Sequence, residues 1–316
     1  MTPALQLPWD LPTLLRDIPG HKRFQYPLAK HTSFRIGGPA DALLYVEDIP
    51  ALKQVQALAQ EQQIPLFILG GGSNLLVRDG GVRGIVVSLR GVFRTYQVVR
   101  CPEPSDVAVA LVHAGVGFPL SRLAVELARQ SWSGLEFAYG IPGTLGGAMV
   151  MNAGTYLGEL RQTMLGARML LPDGHECELP VAALGLRYRG SSYPAGAILL
   201  GATMHVQTDD RATIEAMMRE SYARRQQTQP LWLPNAGSIF KNPPGHAAGR
   251  LIDALGLKGK RVGDAEISPL HANFIVNSGR ATAAHVEALI AYIRERVQQA
   301  YGIALELEVR IVGEEN

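Results

Sequence analysis

Ser238 stands in "NAGSIFKNP", residues 235–243, flanked by the turn formers Asn235, Gly237, Asn242 and Pro243, with Lys241 close by. A hydroxyl in such a setting can attack, give up a proton, or close a turn. Attack needs a paired base and is often presented on an elbow of the type GxSxG, and neither accompanies Ser238. By residue type alone turn closure is favoured, because serine after glycine commonly bonds its own backbone. Arg189, in "RYRGSS", carries a planar cation suited to a carboxylate, or forms a surface ion pair. Glu308 alternates with Glu306 in "LELEVRI" and by pattern lies on the polar face of a strand. Arg224 and Arg225 give a helix a basic end that suits phosphate or solvent equally.

Two glycine-rich stretches could hold an anion. "LGGGSNLLV" (69–77) follows an apolar run, and its consecutive N–H groups can form a nest around phosphate. Leu75 occupies the place of the third glycine of GxGxxG, and no GK[ST] follows, so neither dinucleotide fingerprint nor P-loop is present. "YGIPGTLGGAMVMNAG" (139–154) offers a second small-residue surface, and two such loops from adjacent α/β blocks could enclose a dinucleotide. Close packing of strands is the alternative.

These groups need elements to position them. "ADALLYVED" (40–48) reads as a strand, Asp48 caps a helix running to about Gln63, and "IPLFILG" (64–70) and "GIVVSL" (84–89) are strand-like. A second block, from about residue 95, has a β-like "VAVALVHAG", a helix over 119–131, a hairpin turning at Asp173-Gly174 and the strand "AILLGATMHVQ". The character then changes near 205–208, and helices over 209–229, "AGRLIDALGLKG" and "TAAHVEALIAYIRERVQQAYG" lead to the alternating closing stretch 305–313. At 316 residues the chain has room for about two domains, and 47% hydrophobic residues can fill their cores.

Composition excludes several functions. A formal charge of +2 gives no general pull toward nucleic acid or anionic membrane, so any anion site is local. Cys101 and Cys177 make no CxxC, and the eight histidines form no metal-ligand spacing, so no metal is expected. The Pro-rich opening is a poor signal peptide, no run reaches a membrane span, and a cytoplasmic setting is expected.

In "HTSFRIGG" (31–38), "GGGSNLL" (70–76), "GIPGTLGGAMVMNAG" (140–154), "RYRGSSY" (187–193), "NAGSIFKNP" (235–243) and "LELEVRIVG" (305–313), the chain resembles the UDP-N-acetylenolpyruvoylglucosamine reductase (MurB) family. The motifs keep the family's order and cover nearly the whole chain. The resemblance implies a mixed α+β and α/β fold. Its parts are a two-lobed FAD-binding domain of the vanillyl-alcohol oxidase (PCMH-type) kind and a C-terminal α+β substrate-binding domain. A lead-in would span 1–20, the FAD lobes 21–94 and 95–206, and the substrate domain 207–316, with 305–313 able to return toward the FAD lobes. Only 49 positions separate Arg189 from Ser238, which resembles the compact subtype without an inserted tyrosine loop.

By the same resemblance, Gly70, Gly71, Gly72, Ser73, Asn74, Gly140, Gly143, Thr144, Gly146 and Gly147 would hold FAD, non-covalently because no histidine matches a flavin link. NADPH would be co-substrate, and UDP-N-acetylglucosamine enolpyruvate would be reduced to UDP-N-acetylmuramate in peptidoglycan precursor synthesis. Arg189 would stabilise a developing carbanion, Ser238 would protonate it, and Glu308 would be the third catalytic group. Tyr188, Lys241 and Asn242 would contact the substrate, while His271 fits the pattern without an assignable role. A side chain at Gly72 would be expected to block the cofactor and leave the fold intact. The enzyme would act as a monomer. The rivals are another FAD-dependent sugar or hydroxy-acid oxidoreductase of the same fold, which would have no reason to carry all three catalytic motifs, and a non-enzymatic nucleotide-binding module, which would purify colourless.

Overall fold

The computed structural model describes residues 8–101 and 107–315. The first seven residues of the expected lead-in therefore lie outside the described part; within it Leu11–Leu14 forms one short helical turn capped by Asp10.

The first sheet runs, from edge to edge, His21–Pro27, Pro39–Val46, Val82–Leu89 and Leu66–Ile68. Its two central strands are parallel and almost wholly buried, as their unbroken apolar runs require. Between them the helix Ile49–Glu61 begins where the Asp48 carboxylate accepts from the Ala51 N–H at 2.8 Å, with Pro50 in its first turn. Leu52, Val55 and Ala59 face the core from it at helical spacing.

The second sheet is antiparallel, in the order Glu176–Pro180, Met164–Leu170, Ile198–Thr208, Val109–Gly115 and Tyr96–Arg100, with Trp132–Ser133 on the far end of Ile198–Thr208. Gly174, at φ +81°, makes the turn between the first two strands. One apolar core joins both lobes: Leu44, Ile85 and Val87 of the first share it with Val112, Leu123 and Met204 of the second. The helix Arg211–Thr228 sends Ile214 and Met218 into that same core. Packing therefore ties it to the two N-terminal lobes, although the change in composition before it suggested the start of the next domain.

A separate core lies beyond this helix. Asn235–Ser238, Phe274–Asn277, Ala265–Ile267 and Arg261–Val262 form a small antiparallel sheet. The helix Ala283–Tyr301 lays Val286, Leu289, Ile290, Ile293 and Val297 on this core. Thr282 caps its start, and Gly302, at φ +68°, ends it. Phe34, Ile36 and Leu76 from the first lobe enter this core too.

The alternating stretch 305–313 is a strand only over Arg310–Val312, which pairs in parallel with Leu75–Val77 of the first lobe. The preceding residues do not continue this strand because their backbone bonds go to the C-terminal domain, and the change of partner to the first lobe comes only at Arg310. The Glu308 N–H donates to Ile239 O at 2.8 Å, and the Arg310 N–H to Asn74 O at 3.0 Å.

Candidate active site

A cavity of about 650 Å³ opens where the two lobes and the C-terminal domain meet. Residues 70–74 line one side, and Pro142, Gly143, Thr144, Gly146 and Gly147 face them. The loops touch: a Cβ on Gly71 would stand 2.5 Å from the Gly143 Cα, and the Ser73 hydroxyl donates to Pro142 O at 3.0 Å. Among the described residues, the backbone N–H groups of 70–73 donate to no group of the protein. Four consecutive free donors beside the start of the helix Leu145–Met151 are what a diphosphate satisfies, and the two loops fit the FAD implied by the fold.

The glycines divide by what lies opposite them. Gly147 has open space around its Cβ position, with only Thr144 Oγ1 at 3.8 Å. Gly72, at φ +62°, would drive a side chain onto His31 O at 2.0 Å, so substitution there tests folding rather than ligand binding. Gly146 lines the cavity but leans on Val116. Gly140 is not part of the lining: a Cβ there would meet the Tyr222 ring at 2.4 Å, so its smallness serves the seat of the helix Arg211–Thr228. Gly147→Val is therefore expected to fold with an unchanged thermal midpoint and to purify without the 450 nm flavin band. Full flavin content in that variant would remove Gly147 from the cradle.

Arg189, Ser238 and Glu308 come from three separate stretches and line the same cavity. The chain turns back tightly at Arg187–Gly190, each end bonding the other, and Arg189 adopts φ +51°. A left-handed arginine is strained, and the turn is retained because Asn152, fully buried, holds Arg187 O at 3.3 Å. Arg189 Nη2 donates to Gly154 O at 3.2 Å, and Nε lies 2.9 Å from Glu308 Oε1. That second contact is an ion pair rather than an aligned hydrogen bond, since the buried Nε–H points at no acceptor. The guanidinium thus keeps donors in hand for an incoming anion.

Burial pushes the Glu308 carboxyl above the ordinary glutamate range, and this outweighs the opposing pull of Arg189 and Lys241. A raised pKa means that folding favours the protonated form, so the carboxylate costs stability as pH rises through that value. Glu308→Gln is expected to match wild type in thermal midpoint near pH 4 and to gain on it by pH 8. A variant that instead falls below wild type as pH rises would show that Arg189 more than offsets burial.

Ser238 follows a bulge. Asn235 pairs with Val276 and Ser238 with Phe274, three steps against two, and Gly237 absorbs the extra residue at φ +75°. Asn235 Oδ1 accepts from the Gly237 N–H at 2.9 Å, so asparagine, not serine, closes this turn. The Ser238 hydroxyl makes no hydrogen bond within the described protein and faces the cavity.

Three expected substrate residues lie outside the lining. Asn242 Oδ1 accepts from Ala248 N–H at 3.0 Å and so caps the helix Ala248–Ala254. Lys241 pairs with Glu306 at 3.3 Å, and Tyr188 is exposed beneath the Arg189 guanidinium. Other residues take places that spacing did not assign. Arg225 points inward: its Nε donates to Gln229, while its buried Nη1 has no partner. Arg224 rests on the exposed ring of Tyr156 at the rim. The Tyr193 hydroxyl is buried in the wall without a partner, its pKa pushed up to about 12 by burial, so the phenol stays a neutral donor. Its place in "RYRGSSY" was the available signal. His271 packs edge-on against Phe274 and on Gly249, a structural position.

A two-lobed FAD-binding domain and a small C-terminal α+β domain around one such cleft define the class: an FAD-dependent oxidoreductase. Known proteins narrow it. The pattern of the FAD binding domain matches residues 40–179, and that of the UDP-N-acetylenolpyruvoylglucosamine reductase C-terminal domain matches residues 229–312. UDP-N-acetylenolpyruvoylglucosamine reductase 2 of Symbiobacterium thermophilum is 46% identical over 96% of this chain and 96% of its own length. The reductase of Anaeromyxobacter dehalogenans is 45% identical over 95% of this chain and 88% of its own. The crystal structure of the Thermus caldophilus reductase superposes with a TM-score of 0.79 at 37% identity, covering 93% of this chain and 99% of that one. The chain belongs to the UDP-N-acetylenolpyruvoylglucosamine reductase family.

Proposed function

We propose that this protein reduces the enolpyruvyl double bond of UDP-N-acetylglucosamine enolpyruvate to the D-lactyl ether of UDP-N-acetylmuramate, with NADPH as electron donor, as a monomer in cytoplasmic peptidoglycan precursor synthesis. The observation that carries the reading is the meeting of Arg189, Ser238 and Glu308 on the wall of the cavity that the glycine loops also line. Residues 70–73 and Gly147 would hold FAD non-covalently, and the flavin would supply the hydride-transfer chemistry.

The remaining work belongs to the chain. Hydride arriving at the terminal alkene carbon leaves negative charge on the neighbouring carbon and its carboxylate. Arg189, with unused donors and a fixed turn, offsets that charge where it develops. The free Ser238 hydroxyl gives its proton to the carbanion, a base strong enough to take it without histidine assistance. Glu308, held toward its neutral form by burial, hydrogen-bonds the substrate carboxylate or supports the serine's reprotonation. Arg225, with its orphan Nη1, and Arg224 at the rim are the cations placed to meet the substrate diphosphate.

Anaerobic mixing tests the reading. NADPH should bleach the yellow protein, and the enolpyruvyl nucleotide should restore the colour with one equivalent of muramate nucleotide formed. Bleaching by a sugar or hydroxy acid, with no response to the enolpyruvyl nucleotide, would transfer the chain to an oxidase role. Glu308→Gln should slow colour restoration, and an unchanged rate would leave Glu308 as an ordinary strand residue.

A further inference from the structure

We infer that Asn74, placed by its motif among the cofactor contacts, is a positioning residue for Glu308. Its side-chain Nδ2 donates to Glu308 O at 3.0 Å, and its own backbone O accepts from the Arg310 N–H at 3.0 Å. The amide therefore acts as one more rung beside the parallel pairing of Leu75–Val77 with Arg310–Val312, extended by a side chain to Glu308, two residues before that ladder begins. The same glutamate's N–H donates to Ile239 O at 2.8 Å, one residue beyond Ser238. Both backbone groups of Glu308 are thus fixed from opposite sides, by the first FAD lobe and by the C-terminal domain.

The choice of asparagine follows from the geometry. Glu308 O needs a donor, its own strand has not yet begun, and serine or aspartate at position 74 would lack either the reach or the N–H. The consequence is mechanical. Residues 70–73 present free N–H groups to the cavity, and the next residue grips the segment that carries the carboxylate, so the cofactor loop and Glu308 move as one piece. Without the grip, Glu308 keeps its Ile239 bond and the backbone bond from Arg310 to Asn74 remains, but the Glu308 carbonyl itself is no longer held to the loop.

This rests on the catalytic role proposed for Glu308, and a double-mutant cycle separates the two claims. Asn74→Ala is compared with Glu308→Gln and with the double variant, using flavin content, bleaching by NADPH, and colour restoration by the enolpyruvyl nucleotide. Asn74→Ala should keep its flavin and bleach within about twofold of wild type, while restoration slows by on the order of ten- to a hundredfold, the scale of a catalytic group displaced by an ångström or less. In the Glu308→Gln background the same substitution should change restoration by less than about twofold, because the group it positions is already gone. Should Asn74→Ala not fold, Asn74→Asp keeps the volume and removes the donor, and carries the same comparison. A colourless single variant would make Asn74 a cofactor residue and overturn the inference, as would equal slowing in both backgrounds. An unaltered rate in Glu308→Gln alone would overturn the catalytic role itself.

Discussion

Ser238→Ala is expected to leave bleaching by NADPH near the wild-type rate and to slow colour restoration by the ~10²–10⁴-fold typical of a lost general acid. Only the second half of the reaction leaves a carbon that must take a proton. The geometry gives the substitution little else to disturb. The hydroxyl makes no hydrogen bond in the described protein, and the turn beside it is closed by Asn235 and Gly237. Removing one half-buried oxygen that bonds nothing in the described protein therefore costs neither the bulge nor the pairing of residue 238 with Phe274. Stopped-flow absorbance at 450 nm reads both halves in one sample. Equal slowing of the two would make Ser238 a positioning group for a shared site, and slowing of neither would make the motif a turn and nothing more.

Arg189→Lys should spare bleaching and slow restoration by on the order of 10²–10³-fold, the loss expected when a preorganised donor of ~3–4 kcal/mol is withdrawn from developing charge. Charge is conserved in this substitution, so geometry alone is tested. An ammonium cannot at once bond Gly154 O, stay beside Glu308 and present a planar edge to a carboxylate, as the guanidinium does. Because Arg189 sits at φ +51°, a conformation lysine tolerates no better, the variant should keep its fold and its strain together. A rate within threefold of wild type would reduce Arg189 to a bulk positive charge.

The elements that position these groups were largely legible because their causes are local. Asp48 caps its helix within three residues, and Asp173-Gly174 turns its hairpin within two. The alternating 305–313 stretch misled, since alternation reports two faces and not which lobe supplies the hydrogen bonds; Ile239 and Asn74 take them from either side. The helix Arg211–Thr228 misled for a related reason. Its composition marks a change of region, but Ile214 and Met218 bury themselves in the core behind it.

What the sequence by itself determined is the chemical inventory: which hydroxyl, cation and carboxylate are on hand, two loops able to admit a backbone-bound anion, and the absence of a histidine-assisted serine. Residue type and short spacing carry that much, because caps, turns and periodicity act over a few residues. Tertiary structure alone decided which members of the inventory face the cleft. Gly140 and Gly147 sit in one motif, yet Tyr222 fills the space over the first and the cavity lies open over the second. Asn242 caps a helix six residues on, Arg225 turns inward with an unpaired nitrogen, and Asn74 holds Glu308 across 234 residues of chain. Each outcome depends on what a distant segment places opposite the residue, and no local pattern encodes that neighbour.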